Sequence, residues 1–167
     1  FTIKSSFDAN QERTIVINSP DIIEGRVLGK FKFKELPKLI ENSLGSLYAN
    51  YSPYRVSKGQ YVKFDFNVYS KLVEVFYPEV SLGENTFMNG EINSNDGHFK
   101  LNFKSPLIKF FDNSVNNIRV DIDNKNPLYN AYIELDSLKT KQYKVSDFSL
   151  INVTANDTLF LRTEFKG

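Results

Sequence analysis

Apolar and polar residues alternate through most of the chain. Phe1 and Ile3 open it, followed by Ser5, Phe7 and Ala9. A period of two marks a half-buried strand, because successive side chains point to opposite faces. Asn10-Gln11-Glu12 reads as a hairpin loop, and Thr14 to Ile17 as a second strand that Asn18-Ser19-Pro20-Asp21 breaks. Ile23, Gly25, Val27, Gly29, Phe31 and Phe33 then share one face. Glycines inside a strand pattern mark curvature or the close approach of another backbone.

The period changes after Lys34. Leu36, Leu39, Ile40, Leu44, Leu47 and Tyr48 recur at helical spacing, which predicts an amphipathic helix over 35–49 with Pro37 in its first turn. A loop over 51–59 leads to the cleanest strand, with Val62, Phe64, Phe66 and Val68 on one side and Tyr61, Lys63, Asp65, Asn67 and Tyr69 on the other. A short helix over 70–77 follows, capped by Ser70, with Leu72, Val73 and Phe76 inward and Pro78 ending it. Phe87 to Ile92 and His98 to Phe103 flank Asn95-Asp96-Gly97, a strong hairpin signal. Ser105-Pro106 reads as a break before Leu107 to Phe111, and Asp112-Asn113 as a turn. Ile118, Val120 and Ile122 alternate, as do Ala131, Ile133 and Leu135, then Phe148 and Leu150, then Leu159, Leu161 and Phe165. The count is about ten to twelve strands and two short helices, an all-β class with no composition shift to divide residues 1–167.

One internal repeat accompanies the strands. Val16-Ile17-Asn18-Ser19-Pro20-Asp21-Ile22 is similar to Asn102-Phe103-Lys104-Ser105-Pro106-Leu107-Ile108, each read as strand, Ser-Pro break, strand. A duplication of this kind fits an extended, repeat-like β array.

Composition narrows the function classes. The chain has no cysteine, one histidine and a net charge of +1. Disulfides, thiolate nucleophiles and Cys-ligated metals are excluded, as is any site that needs two histidines. Balanced charge gives no general attraction to nucleic acid or anionic lipid. No apolar run reaches the ~20 residues of a membrane helix, and no cofactor or metal is expected. Fifteen phenylalanines and nine tyrosines without tryptophan favour strands. A chain that opens at Phe1 instead of Met is read as a processed or excised piece.

The polar candidates for chemistry are few. Asp121 and Asp123 share a strand face about 7 Å apart, a spacing open to a cation or a glycosidase-like acid pair. Because Ile122 points to the core, they are read as a solvated outer face. His98 is read as an exposed turn residue beside Asp96 instead of a general base. Lys139, Lys141 and Lys144 with Tyr143 suit phosphate contact or a solvated edge strand. Asn152-Val153-Thr154 and Asn156-Asp157-Thr158 match the glycosylation triplet, which an asparagine-rich chain produces by chance. No nucleophile elbow, dinucleotide fingerprint or phosphate loop is present, and an enzyme is not expected.

The strongest constellation is apolar. Phe31, Phe33, Phe64, Phe66, Phe99, Leu101, Phe103, Phe148, Leu150, Leu159 and Leu161 are expected on one sheet face, with Phe64, Phe66, Leu101 and Phe103 the most clearly alternating. Two readings stay open: the inward face of a closed β-sandwich, or an apolar trough for acyl chains. Two short helices are too small to cover so many strands, which leaves apolar area in need of a partner.

Three segments carry a family resemblance. Residues 16–49 join a Ser-Pro break, a Gly-x-x-x-Gly strand and a Leu-rich helix; 72–108 join a short helix, Pro78, an Asn-Gly strand and a strand into Ser-Pro; 148–167 end in Asn-Asp-Thr-Leu and a strand with Thr-Glu-Phe. The chain resembles the TamB-like translocation and assembly module proteins of the AsmA-like group, in their Bacteroidetes form. The resemblance implies a long curved antiparallel sheet folded as a β-taco, an open half-barrel with an apolar interior. It implies a periplasmic location in the cell envelope, within a parent anchored in the inner membrane, of which this chain is an internal piece. It further implies phospholipid transfer between membranes, outer-membrane biogenesis and protein secretion, with phospholipid acyl chains and an outer-membrane β-barrel assembly protein as partners. The family supplies no catalytic residue. The alternative is a chaperone-like module that pairs strands or binds a ligand over a closed sandwich core.

Overall fold

The computed structural model of the chain describes residues 1–155 and 158–167. Asn156 and Asp157 of the second glycosylation triplet lie outside the described residues. Eleven strands form one sheet: β1 (Thr2–Phe7), β2 (Arg13–Ser19), β3 (Ile23–Lys30), β4 (Tyr61–Val68), β5 (Val80–Leu82), β6 (Phe87–Asn93), β7 (His98–Phe110), β8 (Asn113–Asp123), β9 (Ala131–Lys139), β10 (Lys144–Ala155) and β11 (Thr158–Lys166). Two helices interrupt them, α1 (Leu36–Gly45), preceded by a 3-10 turn at Phe33–Glu35, and α2 (Ser70–Glu74).

Every neighbouring pair is antiparallel, and the sheet order is β1-β2-β3-β4-β6-β7-β8-β9-β10-β11, with β5 beside the second half of β7. Each strand thus lies beside its predecessor, β3 and β4 included although α1 lies between them, and only β5 leaves the sequential order. The sheet is neither closed nor strongly curled. The folded half-barrel expected from the resemblance is therefore not the shape of these strands, which form an open sheet. Among the described residues no second sheet packs on it, so the closed sandwich core is not formed either.

Four expectations are corrected in detail. The helices are shorter than the spacing suggested: α1 stops at Gly45, and α2 at Glu74. Ser70 is not its cap; Tyr69 is, and the Ser70 hydroxyl accepts from the Leu82 amide at 2.9 Å. Phe76, expected inward, is 71% exposed beyond the end of α2. The second Ser-Pro does not break its strand: β7 runs through Pro106, and what changes there is its partner, from β6 before Ser105 to β5 after Leu107. Proline is tolerated at such a switch because no ladder bond is asked of its missing N–H. The buried Ser105 hydroxyl meets the buried Thr86 hydroxyl at 2.7 Å, one donating to the other, and the acceptor of that bond gives its own proton to a nearby carbonyl, Leu107 O for Ser105 or Gly83 O for Thr86. The Asn95-Asp96-Gly97 hairpin forms between β6 and β7 as the Asp-Gly signal requires.

Gly25 and Gly29 explain the β3–β4 contact. Both have φ above +150°, and a Cβ on either would stand about 2 Å from a backbone oxygen of β4, Asp65 O or Tyr61 O. Only glycine lets the two backbones approach so closely.

Candidate functional site

Register places the two faces without ambiguity. In one row Ile3, Ile17, Gly25, Phe66, Met88, Phe103, Val120, Ile133 and Leu150 stand side by side across the sheet. The next row holds Ile15, Val27, Phe64, Gly90, Leu101, Ile122, Ala131, Asn152 and Leu161. The opposite face carries most of the charge and amide, as in Glu24, Asn67, Phe87, Lys104, Arg119 and Glu134 in one row and Leu28, Lys63, Glu91, Lys100 and Asp123 in another. Lys63 and Glu91 pair at 3.7 Å there, and Asn102 donates to Asn89 at 3.0 Å.

The candidate residues fall mostly on the apolar face. Phe64, Phe66, Phe99, Leu101, Phe103, Phe148, Leu150, Leu159 and Leu161 share it. Phe66 and Phe99 are buried; Phe64, Leu101, Phe103, Phe148 and Leu150 are half-buried; Leu159 and Leu161 are exposed. Phe31 and Phe33 lie beyond the end of β3, edge to face at 5.4 Å, and Phe33 is exposed. The two do not continue the strand face. They form part of an aromatic collar around Arg13, whose guanidinium lies 4.6 Å from the Phe7 ring and 4.5 Å from Phe33.

Cover is confined to one end of this face. Leu39 of α1 packs with Ile92, Phe99 and Ile122, and Leu36, Leu47, Val56, Leu101, Val120 and Ala131 close round them. The segment after α1 is tied down at long range: Thr154 donates to the Leu47 carbonyl at 2.8 Å, and Asn124 to the Ser46 hydroxyl at 3.0 Å. Its far end is fixed to the start of α1 by Glu35, which accepts from the Ser57 amide at 2.6 Å, the Ser57 hydroxyl at 2.9 Å and Gln60 at 2.8 Å. Those bonds, the Ser57 amide first, hold the Glu35 carboxyl down to about 2. Between α1, the loop and the β6–β7 hairpin opens a cleft of about 620 Å³, lined in part by Leu39, Tyr48, Tyr51, Tyr54 and Ile92. Over β1 and β2 the described residues supply no such cap, and Ile3 stays 54% exposed, whereas Val62 and Phe66 of β4 are buried.

The polar candidates are tied into local pairs. Asp121 is not solvated: it is 5% exposed and lies 2.6 Å from Arg119, whose guanidinium it holds above its ordinary pKa. Asp123 binds the His98 ring at 3.0 Å. Burial pushes the Asp123 carboxyl up, but the Lys125 amide and His98 outweigh it and hold it low. His98 is thus a half-buried ring between Asp123 and Glu91, and its link to Asp96 is only through its backbone amide. Lys139 and Lys144 face one another across β9 and β10, which are interior strands, and Lys141 pairs with Asp112. Among the described residues no group of three or more acidic or histidine side chains could hold a metal ion. No helix among them is long and apolar enough to cross a membrane.

Sequence reasoning left Met88, Val62, Ile92 and Val120 out of the apolar constellation, although Val62 and Val120 were read as alternating strand residues. Their alternation was visible, but only register shows that separate strands align them. It also missed Arg13. Its phase with Ile15 and Ile17 places a cation on the apolar face, and that signal was present in the sequence.

Comparison with known families, curated proteins and solved structures finds no match to this chain.

Proposed function

We propose that this chain is a non-catalytic stretch of a periplasmic envelope bridge that offers its apolar face to phospholipid acyl chains. In that role it assists phospholipid transfer between membranes, outer-membrane protein assembly, or both. The observation that carries the reading is the asymmetry of the sheet. One face is mainly apolar across the sheet, the other carries most of the charge together with Leu28, Phe87, Tyr132 and Ile151, and the helical cover reaches only one end. An apolar surface of that extent asks for a partner. An acyl chain laid on it gains ~0.8 kcal/mol per buried CH₂, while its headgroup stays at the wet rim. Passive movement follows when successive positions along the stripe bind about equally, so that no site traps the lipid. The half-barrel curvature would belong to the longer array of the parent, anchored in the inner membrane, to which this chain contributes an open stretch.

The test is native mass spectrometry of the gently purified, detergent-free protein, with Phe64→Glu/Phe103→Glu as control. Bound phospholipid on the wild type and its loss from a still-folded double variant support the reading. A lipid-free wild type overturns it.

A second reading has its own support in the exposed outer edges of β1 and β11, where every described residue of both strands is exposed. An open edge can pair with an extended strand of a client protein. Backbone pairing of that kind would survive the phenylalanine substitutions.

A further inference from the structure

The apolar face ends in a row of cations at the strand ends farthest from α1. β9 sets the phase, because its backbone stays extended: no residue of positive φ lies in it, whereas Asn117 interrupts β8 and Asp147 interrupts β10. Alternation along β9 puts Ile133, Leu135, Ser137 and Lys139 on one face. Residues directly opposite share that face. Lys139 stands between Ser114 of β8 and Lys144 of β10, and Ser114 stands opposite Lys109 of β7. The neighbouring row holds Leu107, Asn116, Ser137 and Ser146, and Asn116 donates to the Ser137 hydroxyl at 3.0 Å. Leu135 and Phe148 come next, then Ile133 and Leu150. The face thus grades from apolar, through amide and hydroxyl, to three lysines, over about 20 Å from Ile133 to Lys139.

These lysines are unmatched. Elsewhere Lys63 faces Glu91 and Arg119 faces Glu134, each pair at 3.7 Å. Lys104 and Arg119 also face one another, but Asp121 takes up Arg119, and Lys104 lies over the Phe87 ring. Lys139 and Lys144 have no such relief. Among the described residues neither they nor Lys109 enters an ion pair or a side-chain hydrogen bond. The acids nearest in sequence, Asp112, Asp136 and Asp147, are engaged by Lys141, Asn117 and Lys166. Like charges directly opposite one another cost stability, and an anion from outside the chain would relieve that cost.

We propose that Lys109, Lys139 and Lys144 hold the phosphate of a phospholipid whose acyl chains lie on the apolar face, and that the row selects headgroups of net negative charge. The inference rests on the acyl-chain reading of that face. A phospholipid carries the same order along its length. Its hydrocarbon meets Ile133 and Leu135, its glycerol and ester oxygens meet Asn116, Ser137 and Ser146, and its phosphate meets the ammonium groups. Side chains directly opposite across a strand pair start about 5 Å apart, and the flexible lysine stems let both ammonium groups reach one phosphate. A zwitterionic headgroup brings an ammonium of its own, which the lysines repel; a net anionic one does not. The row lies at the ends of interior strands, so strands paired beyond β1 or β11 would leave it open.

The test incubates the whole chain with vesicles of phosphatidylglycerol and phosphatidylcholine in equal amounts and with the same acyl chains. The protein is re-isolated and its bound lipid counted by mass spectrometry. Phosphatidylglycerol should be favoured about fivefold or more, the effect of one lysine near a lipid phosphate, and the preference should fall as salt is added. Lys109→Gln/Lys139→Gln/Lys144→Gln should take both lipids equally, and Phe64→Glu/Phe103→Glu should take neither. Lys144→Glu should abolish the preference and raise the urea midpoint, because it sets an acid opposite Lys139. Lipid bound without preference, or a preference that survives the lysine substitutions, overturns this proposal and leaves the acyl-chain reading standing. A wild type that takes no lipid overturns both. Inorganic phosphate should displace the lipid no better than chloride of equal ionic strength; specific displacement would give the row to a soluble phosphate and overturn the headgroup assignment.

Discussion

Phe64 stands directly opposite Gly90 across β4 and β6, and the tip of its ring lies 2.7 Å from where a Cβ at position 90 would be. Phe66, two residues on, leans the other way, with its Cδ1 2.7 Å from the Cβ position of Gly25 on β3. The two rings stack at 6.3 Å. One strand thus lays two phenylalanines over glycines on both its neighbours. The aromatic rings cover backbone that would otherwise face solvent on the apolar side.

Gly90→Ala should therefore destabilise the sheet. The new methyl meets the Lys100 carbonyl at 2.2 Å as well as the Phe64 ring, and relieving an overpacked contact of this kind costs about 1–3 kcal/mol. Urea unfolding followed by circular dichroism reads the loss. The double variant Gly90→Ala/Phe64→Leu should recover only part of it, because the carbonyl clash remains.

Gly25→Ala and Gly29→Ala test the β3–β4 approach. Both positions combine positive φ with a backbone oxygen about 2 Å from a new Cβ. Each substitution should cost about 1–3 kcal/mol from conformation alone, with the clash added. Gly29 shares a row with Val62 and Ile92, which leads to the α1 cover, and Gly25 does not, so Gly25→Ala should raise hydrogen exchange first in β2 and β3 and leave β7 to β9 protected.

Much of this fold is legible in the sequence, and the limits have physical causes. Alternation along β4, β8 and β9 shows in the residues themselves, and Asp96-Gly97 announces its hairpin. Curvature is different. It depends on how twist accumulates over many strands, and no local residue pair encodes it. Pro106 misled because a proline break and a change of pairing partner look alike along a single chain. Asp121 misled because its phase is that of a polar face, while in the sheet it stands between Asn102 and Tyr132 of the neighbouring strands and beside Arg119 on its own. The apolar face was readable strand by strand. Its rows, its partial cover and the cation at Arg13 needed the register.

Arg13 should be sensitive to its geometry as well as its charge. Its guanidinium lies among Phe7, Phe31 and Phe33, and its Nε is buried with no hydrogen-bond partner among the described residues. A flat, weakly hydrated cation suits that collar, and a compact ammonium does not. Arg13→Lys should lower stability by about 1 kcal/mol, and the aromatic proton shifts of the three rings should move together in NMR spectra. A shift confined to Phe7 would detach the collar from the cation.

Glu35 gives the cover a defined acid response. Its folded-state pKa is depressed, from an ordinary 4.5 to about 2, by the bonds to Ser57 and Gln60. A depressed carboxylate contributes stability that is fully present above the ordinary value and is lost as pH falls toward the folded one. The tie between the loop and α1 should therefore weaken between pH 4.5 and 2, and proteolysis of residues 50–58 should accelerate in that window. Glu35→Gln should flatten this part of the pH dependence and leave the loop more readily cut at neutral pH. An unchanged pH profile in the variant would assign the acid response to other carboxylates.

Arg119 and Asp121 set the last test, on the polar face. Asp121 is almost wholly buried, while a little under half of the Arg119 side chain remains exposed, and their atoms lie 2.6 Å apart. Arg119 also reaches Glu134 at 3.7 Å. Removing the cation strands a buried carboxylate, whereas removing both charges strands nothing. Arg119→Met should thus cost about 1–3 kcal/mol, at the lower end because solvent reaches part of the pair. Arg119→Met/Asp121→Asn should recover most of that loss in the same unfolding experiment. If the double variant were as unstable as the single one, the loss would not come from a stranded Asp121 carboxylate.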